Sequence, residues 1–224
     1  MTRIRFHQEL DELKHRILAM AGMAEQAIDL AVQAFTQRDP VICQRVMANE
    51  SAINRAEREV DEFAIDLLAM QQPMAIDLRF ILAVIKINAD LERVGDQAVN
   101  IVQRVVHMIE LPASDLPVDI PAMATRVRAM VRDALRSFIE GDTELAKHVL
   151  EADDEVDRIN REAFADLSDA MQRNPEAAIQ ALGVLSIARN LERVADHATN
   201  IAEDVIFWVR GADVRHGAQQ IVGS

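Results

Sequence analysis

Four pairs of oxygen-bearing side chains stand four residues apart: Glu92 with Asp96, Glu192 with Asp196, Asp153 with Asp157, and Glu50 with Asn54. On a helix, four residues advance by about 400°, which leaves two such side chains roughly 40° apart, one turn above the other. Like charges at that spacing repel by a few tenths of a kcal/mol. A divalent or trivalent cation between them turns that repulsion into attraction, because hard cations take several oxygen ligands. Two such helices in one bundle would offer about four donors to a single site. Asn100 and Asn200, one further turn along, would add amide oxygens. The chemistry expected of these residues is metal binding.

A bland reading competes with this one. With 37 acidic residues in 224, pairs at this spacing arise by chance, and Glu62 with Asp66 and Glu162 with Asp166 are instances. Arg93 and Arg193 also offer nearby carboxylates a surface ion pair. What weighs against chance is duplication. Residues 91–106 and 191–206 share nine of sixteen positions, where composition alone gives roughly one. The shared set keeps Glu, Arg, Asp and Asn, which packing does not require. Upstream, Phe35 and Asp39 match Phe138 and Asp142, and Glu50 and Asn54 match Asp153 and Asp157, at an offset of 103 that later falls to 100. Each half is therefore a domain of about a hundred residues rather than a short repeat unit.

The elements that must position these residues are helices. Hydrophobic residues make up 50% of the chain, aromatic residues 4%, and tyrosine is absent. That vocabulary favours helix over strand. Proline is tolerated only in a first helical turn, so Pro40, Pro73 and Pro175 mark boundaries, and Pro112, Pro117 and Pro121 cluster in one segment. The expected helices run over 6–37, 41–70, 74–110, 121–140, 143–172 and 176–210. The fold class is all-α, two tandem antiparallel three-helix bundles over 1–110 and 121–210, with a Pro-rich linker at 111–120 and a fraying tail at 211–224. Met20, Met23, Met70, Met123 and Met130 fall on apolar stripes and are expected in the core, and Trp208 and Val209, near the end of the last helix, are read as core in preference to an association patch. Cys43 is expected as a small apolar filler.

The net charge of −13 disfavours phosphate-backbone binding and suits cations or a basic partner. One cysteine allows no internal disulfide. The longest apolar runs reach about six residues where a membrane span needs about 20, and the N-terminus shows no signal-peptide pattern. A soluble, cytoplasmic protein is expected. Catalytic patterns are scarce: no Gly-rich phosphate loop, nucleophile elbow or CxxC occurs. A helical di-iron oxidase needs paired Glu-x-x-His motifs, and only Glu12-Leu13-Lys14-His15 fits, as a solvated face. No catalytic residue and no organic cofactor is expected.

Taken together, the opening Phe6-x-x-Glu9-Leu10, Gln72-Pro73-x-x-x-Asp77-Leu78-Arg79, both Leu-Glu-Arg-Val-x-Asp motifs and the closing Glu203-Asp204-Val205-Ile206 through Val214-Arg215-His216 resemble the PhoU family over nearly the whole chain. These are phosphate-transport accessory regulators of bacteria. The resemblance implies two three-helix bundles with metal ions (Fe, Zn, Mn or Mg) on Glu/Asp-x-x-x-Asp motifs. It implies a non-enzymatic negative regulator that links the ATPase subunit of a high-affinity phosphate ABC transporter to a sensor histidine kinase. It also implies a homodimer that reaches the membrane only through its partners. Two positions depart from the family pattern: Asn54 replaces the usual Asp and Gln97 a common His, so the first site is expected to bind metal more weakly than the second. The Asp-Leu-Arg element has no counterpart in the second half, where Ile179-Gln180-Ala181 stands nearby. A carboxylate-bundle metal protein or metalloenzyme, and a metal-free structural adaptor, are the competing readings.

Overall fold

The computed structural model describes residues 2–112 and 116–211. Six helices account for most of them: α1 (Thr2–Gln37), α2 (Pro40–Gln71), α3 (Ile76–Ile109), α4 (Ile120–Glu140), α5 (Thr143–Arg173) and α6 (Ala178–Arg210), with a 3-10 turn, Pro175–Ala177, leading into α6. No strand occurs among the described residues. The expected tail lies outside them apart from Gly211.

The helix ends follow local chemistry. Asp39, Asp119 and Asp142 each sit one residue ahead of a helix, and their carboxylates accept from the backbone N–H groups of Val41 (2.8 Å), Ala122 (2.9 Å) and Glu144 (2.9 Å). Those N–H groups have no partner inside the helix, so an acid there offsets both their unmet hydrogen bonds and the positive end of the helix dipole. Pro40 and Pro121 occupy the first turns that follow. Gly141, with φ at +65°, closes α4 in a left-handed conformation that costs a residue without Cβ nothing.

Helices α1, α2 and α3 pack on one another, and so do α4, α5 and α6. The two bundles join mainly along α3 and α6 and more briefly between α1 and α4, so that one hydrophobic core runs through both. α3 and α6 run antiparallel: Arg79 donates to the carbonyl of Trp208, Lys86 meets Asp204, and Asp90 meets His197. At the far end of this seam, Gly183 passes so close to Met108 that a Cβ would stand 2.5 Å from its sulfur. Glycine there permits the close approach.

Met20, Met123 and Met130 are buried and Met23 half-buried, as the apolar stripes imply. Met70 is a correction: it is 67% exposed, because the buried line of α2 through Val60, Ala64 and Leu67 runs on to the half-buried Gln71 and leaves Met70 to one side. Cys43 is buried. Trp208 and Val209 pack against the core, and the Trp208 ring meets Phe80 edge-on at 5.5 Å. Glu12 pairs with Arg16 at the surface, as a solvated face should.

Candidate functional site: two carboxylate clusters and the seam between them

In the second bundle, α5 contributes Asp153 and Asp157 and α6 contributes Glu192 and Asp196, and the four carboxylates influence one another. Partial burial, followed by the negative charges of Asp196, Asp157 and Glu192, pushes the Asp153 carboxyl up to about 6. Burial and then the neighbouring carboxylates also raise Glu192 and Asp196. Among the described residues, Asp157 alone of the four has a cation in contact, Arg161 at 3.3 Å. Asp153 Oδ1 is buried without a hydrogen-bond partner, an orphaned acceptor of the kind that costs stability unless something satisfies it.

This donor set fits a hard cation: several carboxylate oxygens, mutual repulsion that a positive ion relieves, and one buried oxygen with nothing to accept from. The fit is chemical rather than preassembled. Among the described residues, no three His, Cys, Asp or Glu side chains stand where they could hold one ion together. Side-chain rotation on α5 and α6 would have to converge them.

The first bundle builds an equivalent cluster with one residue that the sequence spacing had not indicated. Glu50 and Asn54 of α2 and Glu92 and Asp96 of α3 are all partly buried. Burial, followed by the charges of Asp96 and Glu57, raises Glu92. Glu57 is raised in turn by burial and by Asp61 and Asp96. Glu57 thus belongs to the cluster. Its counterpart at the offset of 103 is Asn160, while that of Asn54 is Asp157. One bundle carries Asn54 and Glu57 where the other carries Asp157 and Asn160. Each cluster therefore holds four carboxylates, and the neutral Asn54 leaves the first no poorer in charge. The signal was present in the sequence: Glu57 lies seven residues, about two turns, after Glu50.

Asn100 and Asn200 lie elsewhere. Asn200 donates to Asp90 Oδ1 of α3 at 3.2 Å, and Asn100 donates to Gln97 at 3.4 Å. The drift of about 40° per four residues carries both from the clusters toward the seam. Arg93 also turns to the seam, 3.7 Å from Asp90. Asp90 is 5% exposed and accepts from His197 Nδ1 at 2.9 Å as well. Sequence reasoning passed over Asp90 because it precedes the shared window by one residue. Its counterpart Asn190 is the signal that the two halves differ there.

Comparison with known proteins agrees with this architecture. The PhoU domain is matched twice, over residues 17–105 and 120–205. The phosphate-specific transport system accessory protein PhoU homolog of Pseudomonas putida is 40% identical over 94% of this chain and 83% of its own length. The homolog from Pseudomonas aeruginosa is 38% identical over 94% of this chain and 88% of its own. The crystal structure of PhoU from Pseudomonas aeruginosa superposes with a TM-score of 0.89 at 36% identity, covering 92% of this chain and all of that one. A phosphate transport system regulatory protein PhoU from Streptococcus pneumoniae, at 24% identity and a TM-score of 0.84, shares the fold. With two matched domains and helices that pair off as the duplication requires, this chain is a member of the PhoU family.

Proposed function

We propose that this protein is a non-enzymatic negative regulator of phosphate uptake and of phosphate-starvation signalling. It acts by contact with the ATPase subunit of the phosphate ABC transporter and with a sensor histidine kinase. Its relatives are named accessory proteins of the phosphate-specific transport system, which supports a place beside that machinery. No described helix is long and apolar enough to cross a membrane, so contact with membrane proteins would run through its surface. It works in the cytoplasm as a homodimer, and exposed apolar side chains such as Ile179 and Leu182 offer area for such contacts.

The observation that carries the metal part of this reading is the orphaned Asp153 Oδ1 among four like charges. Asp153, Asp157, Glu192 and Asp196 would hold an ion in the second bundle, and Glu50, Glu57, Glu92 and Asp96 one in the first. A bound ion, Fe, Zn, Mn or Mg, would supply positive charge that ties α5 to α6 and α2 to α3. The signal then passes through differential contact with two states of a partner, since only differential affinity shifts an equilibrium.

Co-purification tests the reading. The protein should be retained on membranes that carry the transporter and kinase, more strongly at high phosphate than at low. Equal recovery from membranes lacking both partners would defeat it. Metal analysis before and after chelation separates a metal-bearing regulator from a bare adaptor.

A further inference from the structure

At one end of the α3–α6 seam lies an open groove of about 300 Å³, lined by Asn100, Arg104 and His107 of α3 and by Ser186, Asn190 and Arg193 of α6. No acidic side chain lines it, although the chain carries a net charge of −13. The side chains of Arg104 and His107 make no hydrogen bond or ion pair with another described residue.

The duplication supplies an internal comparison. Shifted by 100 residues, Asn190 corresponds to Asp90, Arg104 to Asp204, Ser186 to Lys86 and Gln97 to His197. At the Asp90 end the seam is closed by opposite charges: Lys86 donates to Asp204 at 2.8 Å, and Asp90 accepts from His197 at 2.9 Å and from Asn200 at 3.2 Å. At the groove end both acids have neutral or basic counterparts. The same helical crossing is thus closed by ion pairs at one end, while at the other Arg104 has no ion pair with a described residue. Packing explains the first arrangement. The second places Arg104 and His107 at one cleft without an ion pair among the described residues, beside Arg193, whose charge is shared with the carboxylates of Glu192 and Asp196.

We propose that this groove binds a small tetrahedral oxyanion, with inorganic phosphate as the probe. Guanidinium groups present paired N–H donors that match phosphate oxygens, and a charge-assisted bond of this kind is about twice as strong as a neutral one. Asn100 and Ser186 add neutral polar atoms, and Asn190, in place of an aspartate, removes the one charge that would repel the ligand from the groove floor. The acidic surface beyond weakens the long-range attraction, so binding depends on short contacts. None of the cluster carboxylates lines the groove, and Arg193 stands between the groove and the Glu192–Asp196 pair, so the oxyanion needs no metal in the clusters.

Titration calorimetry on the full-length, chelator-treated protein tests this with phosphate, sulfate and chloride at matched ionic strength. Phosphate or sulfate should bind and chloride should not. Arg104→Ala and Asn190→Asp should each weaken binding by about tenfold or more, Arg104→Lys should weaken it less, and Arg136→Ala, on a distant surface, should leave it unchanged. Unchanged helical circular dichroism confirms that each variant folds. No oxyanion binding, binding that disappears on chelation, or full-strength binding in both Arg104→Ala and Asn190→Asp would overturn the proposal.

Discussion

His197 Nδ1 on α6 lies 2.9 Å from Asp90 Oδ1 on α3, and this pair joins the two halves of a duplicated chain at a point where the duplication is broken. The corresponding residues are Gln97 and Asn190, and Asn190 donates to the carbonyl of Ser186 on its own helix instead. One crossing of the seam is held by a buried carboxylate and the other is not.

Asp90→Ala should therefore destabilise the protein more than Asn190→Ala. The first removes the acceptor of both His197 and Asn200 and leaves those donors short of a partner, at a cost of about 2–3 kcal/mol. The second loses a local bond worth about 1 kcal/mol. Denaturant midpoints measured at pH 7 with metal removed decide it, and equal midpoints would show that the seam does not depend on the buried acid.

Metal occupancy should be similar in the two bundles, because Glu57 restores the charge that Asn54 lacks. Replacing Glu92 and Asp96 with Ala should lower bound metal about as much as replacing Glu192 and Asp196, and Glu57→Gln should weaken the first cluster alone. A loss confined to the second pair would return the advantage to the second bundle that Asn54 had suggested. The readout is metal content after dialysis against a buffered ion.

The metal-free protein should lose stability as pH rises from about 4 toward 6. Asp153 has a folded pKa of about 6, above the value of about 3.9 for an unfolded chain. A raised acid favours the folded state while it is protonated, and that contribution is lost as pH climbs through the folded value. Asp153→Asn should flatten this part of the stability profile and raise the midpoint at pH 7. A thermal melting series from pH 4 to pH 7 measures both, and a wild-type midpoint that rises across the whole range without Asp153 making a difference would contradict it.

Deleting the gene should leave phosphate-starvation genes expressed in phosphate-rich medium. A double substitution of Arg93 and Arg193 should reproduce part of that effect, since both side chains are exposed beside the clusters and the seam. Reporter expression at high phosphate is the measurement. Normal repression in the deletion strain, with no second copy of the gene present, would sink the regulatory role.

Helix number, helix ends and the pairing into two bundles were legible in the sequence because each rests on local rules. Pro40 and Pro121 sit where the sequence put helix starts, in first turns that tolerate a missing N–H. The Glu92–Asp96 and Glu192–Asp196 pairs were legible for the same reason, since four residues on a helix always share a face. The partners of a side chain across an interface depend instead on how two helices are rotated and crossed, and periodicity does not encode that. The crossing of α3 with α6 turned Asn100 and Asn200 to the seam, buried Asp90 against His197, and left Arg104 facing an open groove. The α2–α3 packing added Glu57 to the first cluster, and the α5–α6 packing deprived Asp153 of a donor. The sequence by itself determined six helices and which residues carry charge. The tertiary structure decided which charges meet, because desolvation and Coulomb interaction act through space and over only a few ångströms.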